Sequence, residues 1–227
     1  MTKLRLFGIS FLIAFACTQQ SEIGSMEGEE LTVNQNQVAS EQDDLADTKR
    51  RIGQMIDPTY SDVSDFNQRF DSYMISADGE IEEVSHATAI DLFLQILDSK
   101  NNDFDKAPMF EVKNSEQVVL LLKGNGVAAN MLIDRQNISI LHIMLIPGSK
   151  ANDLEENAEA FQKQFAGTKI DFSENNYGLK PWDKEKGPEH VQVDGISGAT
   201  DVCQLTIDML NNELKKYQKY FNKIDGS

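Results

Sequence analysis

The hydrophobic and polar positions of this chain follow two patterns. Apolar residues recur at helical spacing in some segments, because side chains three and four positions apart share one face of a helix. The predicted helices cover residues 37–58 (ended at Pro58), Glu83–Leu97, Asp153–Phe165 and Ala199 to about Phe221. Short apolar or alternating runs bounded by turn residues indicate strands. The predicted strands are Phe66–Ile75, Met109–Val112, Val118–Leu122, Val127–Ile133 and Ile138–Ile146.

Turn-forming residues separate these strands. Asp78-Gly79 closes the first strand, Gly124-Asn125-Gly126 breaks the chain after the third, and 134–137 joins the last two as a hairpin. Residues Thr168–His190 show little periodicity and are predicted to form a long ordered loop. Strands in runs with helices grouped around them predict an α+β fold, with a mostly antiparallel sheet and flanking helices, in one domain over residues 59–227.

The beginning of the chain predicts export. Lys3 and Arg5 precede an apolar run, Leu6–Ala16, that is too short to span a bilayer as a helix. The sequence Ala14-Phe15-Ala16-Cys17 resembles a bacterial lipobox. We therefore expect a signal peptide over residues 1–16, a lipid on Cys17, a flexible tether over 17–36, and a membrane-anchored protein facing the periplasm or cell exterior. The alternative is an ordinary signal peptide, or a short membrane anchor, with an incidental cysteine.

Composition narrows the classes of function. The formal net charge of −16 argues against binding to nucleic acid or to anionic lipid head groups, since both are negatively charged. The hydrophobic fraction of 40% is enough for a core. The histidines and cysteines do not occur at metal-ligand spacing, so no metal site is expected. These residues are His86, His142, His190, Cys17 and Cys203.

The stretch Val193–Thr200, directly before the last predicted helix, carries the candidate chemistry. One interpretation is a turn followed by a helix that Ser197 or Thr200 caps. The other begins from the helix N-terminus, where free N–H groups and a positive dipole end favour a phosphate. Gly198 and Ala199 leave little side-chain bulk there, and the Thr200 hydroxyl could form an ester with that phosphate.

Residues Asp194–Thr200 resemble the Asp-x-x-Ser-Gly-Ala-Thr signature of flavinylated FMN-binding domains. These domains occur in the flavin-carrying subunits of the sodium-translocating NADH:quinone reductase and of the related Rnf complex. The resemblance implies FMN joined to Thr200 by a phosphodiester bond, which a flavin transferase installs. Asp194, Ser197, Gly198 and Ala199 match the other motif positions. The resemblance extends, patchily, over about Phe66–Leu214.

The chain departs from this family in two places beside the motif. Asp201-Val202-Cys203 stands where the family has x-Thr-Ser, and Pro147–Asp153 replaces a loop rich in Gly, Glu, Thr and Pro. Gly124 and Gly126 are further candidates for contact with the flavin, but a plain hairpin break explains them equally well. Trp182 is another candidate, which could stack on the flavin ring or pack in the core.

The resemblance implies an electron carrier rather than a stand-alone enzyme. Its partners would be a flavin transferase and a redox protein or membrane quinone reductase, and the lipid would hold it at a membrane. Two alternatives remain open from the sequence. One is a lipid-anchored binding or structural lipoprotein that kept the fold without the cofactor, and the other is an enzyme that reduces a small substrate on the flavin.

Overall fold

A computed structural model describes residues 43–76, 78–99, 104–146, 154, 157–172, 175–180 and 191–225. All of them belong to a compact unit that spans Ser40–Ser227. The strands are β1 (Phe70–Ser76), β2 (Ile81–Glu83), β3 (Lys106–Val112), β4 (Gln117–Lys123), β5 (Ala128–Asp134), β6 (Ser139–Leu145), β7 (Tyr177–Lys180) and β8 (Val191–Asp194). The helices are α1 (43–54), α2 (Phe66–Arg69), α3 (His86–Asp98), α4 (Ala158–Lys163), α5 (Thr200–Glu213) and α6 (Gln218–Asp225). The signal peptide, Cys17 and tether predicted within residues 1–36 lie outside the described residues.

The first six strands form one antiparallel sheet in the order β2-β1-β3-β4-β5-β6. The predicted hairpin across residues 134–137 is confirmed. In the β5–β6 turn, Asp134 Oδ1 accepts the amide of Gln136 at 2.9 Å, and Ile138 has a φ of 48°. The predicted α+β class with a mostly antiparallel sheet is confirmed.

Several element boundaries differ from the prediction, and at two of them the structure shows the local cause. Phe66–Arg69 is a short helix rather than the start of a strand, because Asp62 caps the preceding 3-10 turn and Arg69 Nε pairs with Asp65 at 2.6 Å. Ile81–Glu83 forms β2 on the edge of the sheet. The helix predicted from Glu83 therefore begins only at His86, where the Ser85 side chain accepts the Thr88 amide.

The sheet is buried on both faces, as the central strand β4 shows. Val118, Leu120 and Leu122 face one hydrophobic cluster, which α5 and α4 cover. Val119 and Leu121 face the other cluster, which includes Ile52 of α1 and Phe93 of α3. Alternate residues of a strand point to opposite faces, so a continuous apolar run fits a strand between two layers of helices.

The predicted loop over Thr168–His190 is wrong at residues 177–180, which form β7. This strand pairs in parallel with β8, with Tyr177 opposite Val191 and Lys180 opposite Asp194. Each strand is only four residues long, and the two are joined through residues that the structure does not describe. So short a pair leaves no periodic signal in the sequence.

The C-terminal helical region also differs in detail. The predicted helix from Ala199 is divided into α5, a 3-10 turn over Leu214–Tyr217, and α6. Leu210 and Leu214 are fully buried against the sheet, as the helical spacing predicts. Within the described ranges, no helix combines the length and the hydrophobicity needed to cross a membrane.

Candidate functional site

The motif residues lie where β8 passes into α5. Asp194 is the last residue of β8, and Thr200 is the first residue of α5. The Ala199 carbonyl accepts the Cys203 amide at 3.1 Å, which starts the helical hydrogen-bond pattern, and the Ala199 amide donates to the Ile196 carbonyl at 3.0 Å. A tight turn therefore brings the threonine to the first position of a 14-residue helix.

The side chain of Thr200 is exposed, whereas Ala199 beside it is buried. Ala199 occupies the N-cap position, and among the described residues no side chain caps the helix. The interpretation in which Ser197 or Thr200 caps α5 is therefore wrong. An uncapped start leaves backbone N–H groups free to bind an anion at the positive end of the helix dipole.

Gly198 has a φ of 85°, which L side chains rarely adopt. A Cβ built on this residue has no atom within 4 Å, so the space beside the turn is open. The glycine is thus explained by the turn itself. The open space, the exposed hydroxyl and the uncapped helix start together fit a phosphate ester with a large substituent on Thr200.

Contacts on two sides hold the turn in place. The Asp194 amide donates to Gln164 Oε1 at 2.7 Å, and Gln164 Nε2 donates to the Asp194 carbonyl at 3.1 Å. On the helix side, the Ile196 amide donates to Cys203 Sγ at 3.3 Å. Lys180 Nζ lies 3.6 Å from the Asp194 carboxylate. Nothing in the sequence indicated the contact between Gln164 and Asp194, because the two residues are 30 positions apart.

The three residues after the motif have separate environments. Asp201 is exposed in the first turn of α5, while Val202 and Cys203 are buried in the core. Burial raises the pKa of the Cys203 thiol, and the amide hydrogen bonds oppose this only in part. Such a thiol is protonated near neutral pH, which argues against a reactive thiolate at this position.

The remaining candidate flavin contacts are Gly124, Gly126 and Trp182, and the structure does not place Gly124 beside the motif. Gly124 contacts α5 at Met209, nine residues beyond Thr200, or about 14 Å along the helix axis. A Cβ on Gly124 would lie 2.7 Å from Met209 Cβ, so packing requires this glycine. Gly126 has a φ of 81°, which the turn between β4 and β5 requires. Trp182 and Pro147–Asp153 lie outside the described residues.

Polar side chains also meet outside the motif, in a cleft whose lining includes none of the residues 194–200. In the part of the chain that the structure describes, no group of three His, Cys, Asp or Glu residues is arranged to hold a metal ion. A cleft of about 340 Å³ lies between α1, β1 and the start of α3, lined by Lys49, Asp71, Ser72 and His86 among others. Its charges are of both signs and partly paired, since Lys113 binds Asp71 at 3.0 Å.

The fold belongs to a known type of α+β domain. A solved structure that resembles it is NqrC from Shewanella oneidensis, with a TM-score of 0.59 and 14% sequence identity. The match covers 82% of this chain and 100% of that one. At this identity the likeness establishes the fold alone. No protein-family model matches the sequence, and no curated protein sequence matches it.

Proposed function

We propose that this protein is an extracytoplasmic electron-transfer flavoprotein that carries FMN covalently on Thr200. The observation that carries the proposal is the exposed Thr200 at the uncapped start of α5, as the last residue of an intact Asp-x-x-Ser-Gly-Ala-Thr sequence. The shared fold with NqrC supports it independently, since the sequence motif and the fold point to the same family.

The attachment of FMN to Thr200 would be a transfer of its phosphoryl group, in which each bond formed is matched by a bond broken. A flavin transferase would use flavin adenine dinucleotide as the donor, and Thr200 Oγ would form a bond to the phosphorus of the FMN half. The phosphoanhydride bond breaks, AMP leaves, and the hydroxyl proton passes to a base or to solvent. No electron changes place in this step. The diester would retain one negative charge, which the backbone N–H groups at the start of α5 would stabilise.

Residues of this chain would bind the phosphate of the FMN and leave its flavin ring exposed to partners. The start of α5 would bind the phosphate, and the open side of Gly198 would leave room for the flavin. Bound FMN would supply the one- or two-electron chemistry. The electrons would be exchanged with another redox protein or with a membrane quinone reductase, and the lipid on Cys17 would keep the domain at the membrane surface.

One observation favours a second candidate, a lipid-anchored binding or structural lipoprotein without the cofactor. Asp201 places a carboxylate in the first turn of α5, where it would repel a diester anion. The same experiment separates the two candidates, because only the first predicts that the protein becomes covalently labelled.

The test is co-expression of the full chain with a flavin transferase. We expect a fluorescent band on a denaturing gel and an added mass of one FMN minus one water. Thr200→Val removes the hydroxyl with little change of shape and should abolish the label. Thr88→Val, at another exposed threonine in the first turn of a helix, is the matched control and should keep it. A wild-type chain that gains no mass contradicts the proposal.

A further inference from the structure

The segment that carries the motif pairs with β7 on one side, and on its other side a side-chain amide takes the place of a further strand. In β7 and β8, successive residues point their backbone groups alternately toward and away from the partner strand. The Val191 amide donates to the Asn176 carbonyl across the pair at 2.9 Å. Asp194, three residues later, therefore presents its N–H and C=O to the opposite side, where Gln164 meets both of them.

Gln164 is itself held rigidly. It follows α4 directly, between Phe161 and Phe165, which are both fully buried in the core. The two phenylalanine rings contact each other edge to face, and Phe165 makes a second such contact with Tyr177 of β7. The side-chain amide therefore extends from an anchored backbone and fixes Asp194 by two hydrogen bonds at 2.7 and 3.1 Å.

We propose that Gln164 is a positioning residue for the attachment of flavin to Thr200, an inference that rests on the proposed function. It touches neither the hydroxyl nor the reacting phosphate. It acts by holding the first residue of the motif, so that the turn over 194–199 keeps one shape when a transferase binds it. Cys203, which accepts the Ile196 amide, holds the same turn from the helix side.

The physical reason is the entropy of the turn. Each residue that must be ordered during a reaction adds to the barrier, and a segment that is already ordered avoids that cost. Without the amide, Asp194 keeps its pairing with β7 but loses both contacts on its outer side. Two exposed hydrogen bonds at the weak end of the usual range correspond to roughly a fivefold to tenfold change in the ordered population.

The experiment compares Gln164→Met with wild type in the full chain. Methionine matches the length of glutamine and cannot form the paired hydrogen bonds. Gln164→Glu keeps an acceptor for the Asp194 amide and loses the donor. Its rate of FMN incorporation should therefore lie between those of wild type and Gln164→Met. Gln162→Met, a partly buried glutamine of the same helix, is the matched control. The measurements are the rate of FMN incorporation, the thermal midpoint, and hydrogen exchange of the Asp194 amide.

We expect Gln164→Met to slow incorporation fivefold to tenfold and to speed exchange at Asp194, with the thermal midpoint close to that of Gln162→Met. Equal incorporation rates in wild type and Gln164→Met overturn the inference. A slower rate that merely parallels a loss of global stability, in both Gln164 variants, overturns it as well. If wild type takes up no FMN, the proposed function fails, and unchanged exchange at Asp194 then separately refutes the ordering role of Gln164.

Discussion

Asn211 offers a sharp test of how the small parallel sheet is held. This residue of α5 is 5% exposed, and its side chain accepts the Tyr177 amide at 3.1 Å and donates to the Tyr177 carbonyl at 3.0 Å. Tyr177 is fully buried. Asn211→Leu keeps a similar volume and leaves both backbone groups without their partner.

The magnitude follows from the burial of these groups. A buried donor or acceptor that loses its partner costs about 1–3 kcal/mol, so two of them cost about 2–6 kcal/mol. The leucine recovers about 1–2 kcal/mol through apolar burial. Taking the middle of both ranges, we expect the free energy of unfolding to fall by about 2.5 kcal/mol, a large share of the total for a domain of this size.

Urea denaturation followed by circular dichroism measures this change. Asn212→Leu is the matched control, because Asn212 is the exposed neighbour on the same helix and experiences the same change in helix propensity. That variant should stay within about 0.5 kcal/mol of wild type. A loss below about 1 kcal/mol in Asn211→Leu, after subtraction of the control, would refute the reasoning.

Two further predictions concern Gly124 and His86. Gly124→Ala should destabilise the protein by about 1–3 kcal/mol in urea denaturation, because the new methyl group overlaps Met209, while FMN incorporation per folded molecule stays at the wild-type level. A loss of incorporation without a loss of stability would instead place Gly124 in the flavin site. Burial, with Lys49 and Lys113, lowers the pKa of His86 below 6.5, so the unfolded state binds its proton more readily and stability should fall as the pH drops through that value. His86→Asn should reduce the difference in urea midpoint between about pH 7.5 and pH 5.5, and an unchanged difference contradicts this.

The large sheet was predictable because its strands follow one another in the chain. β3 to β6 are joined by short turns, and each carries a run of apolar residues between turn-forming ones. The start of α3 was harder to predict. The helix begins after Ser85 because its side chain accepts the Thr88 amide, and the hydrophobic pattern does not show this hydrogen bond. Local chemistry thus indicates which elements exist, whereas their ends depend on individual hydrogen bonds.

For the candidate site, the motif could be recognised in the sequence, but the residues that support it could not. The residue types of Asp194–Thr200 define the candidate site, and the structure adds that Thr200 is exposed. The residues that support the turn were not predictable. Gln164 is one of several polar residues near the end of α4, and only the packing of Phe161 and Phe165 brings its amide to Asp194. Contacts of this kind depend on tertiary structure, which leaves no short-range signal.

Side-chain amides recur at three places in the described part of the segment that leads to the motif. Asn176 pairs with the backbone of Asp171, Asn211 with that of Tyr177, and Gln164 with that of Asp194, and each amide both donates and accepts. Backbone groups that a wider sheet would satisfy with further strands are satisfied here by side chains.

The geometry of the motif therefore depends on Gln164, and through Tyr177 on Asn211, as well as on the motif's own sequence. This bears on the departure at Cys203, which stands where the resembling family has serine. The role of that position in the turn is to accept the Ile196 amide, and Sγ does so at 3.3 Å. A sulfur acceptor is weaker than a hydroxyl, but the turn is also held from the other side by Gln164. Because two independent contacts fix the same turn, a weaker acceptor at position 203 is compatible with the place of Thr200 at the start of α5.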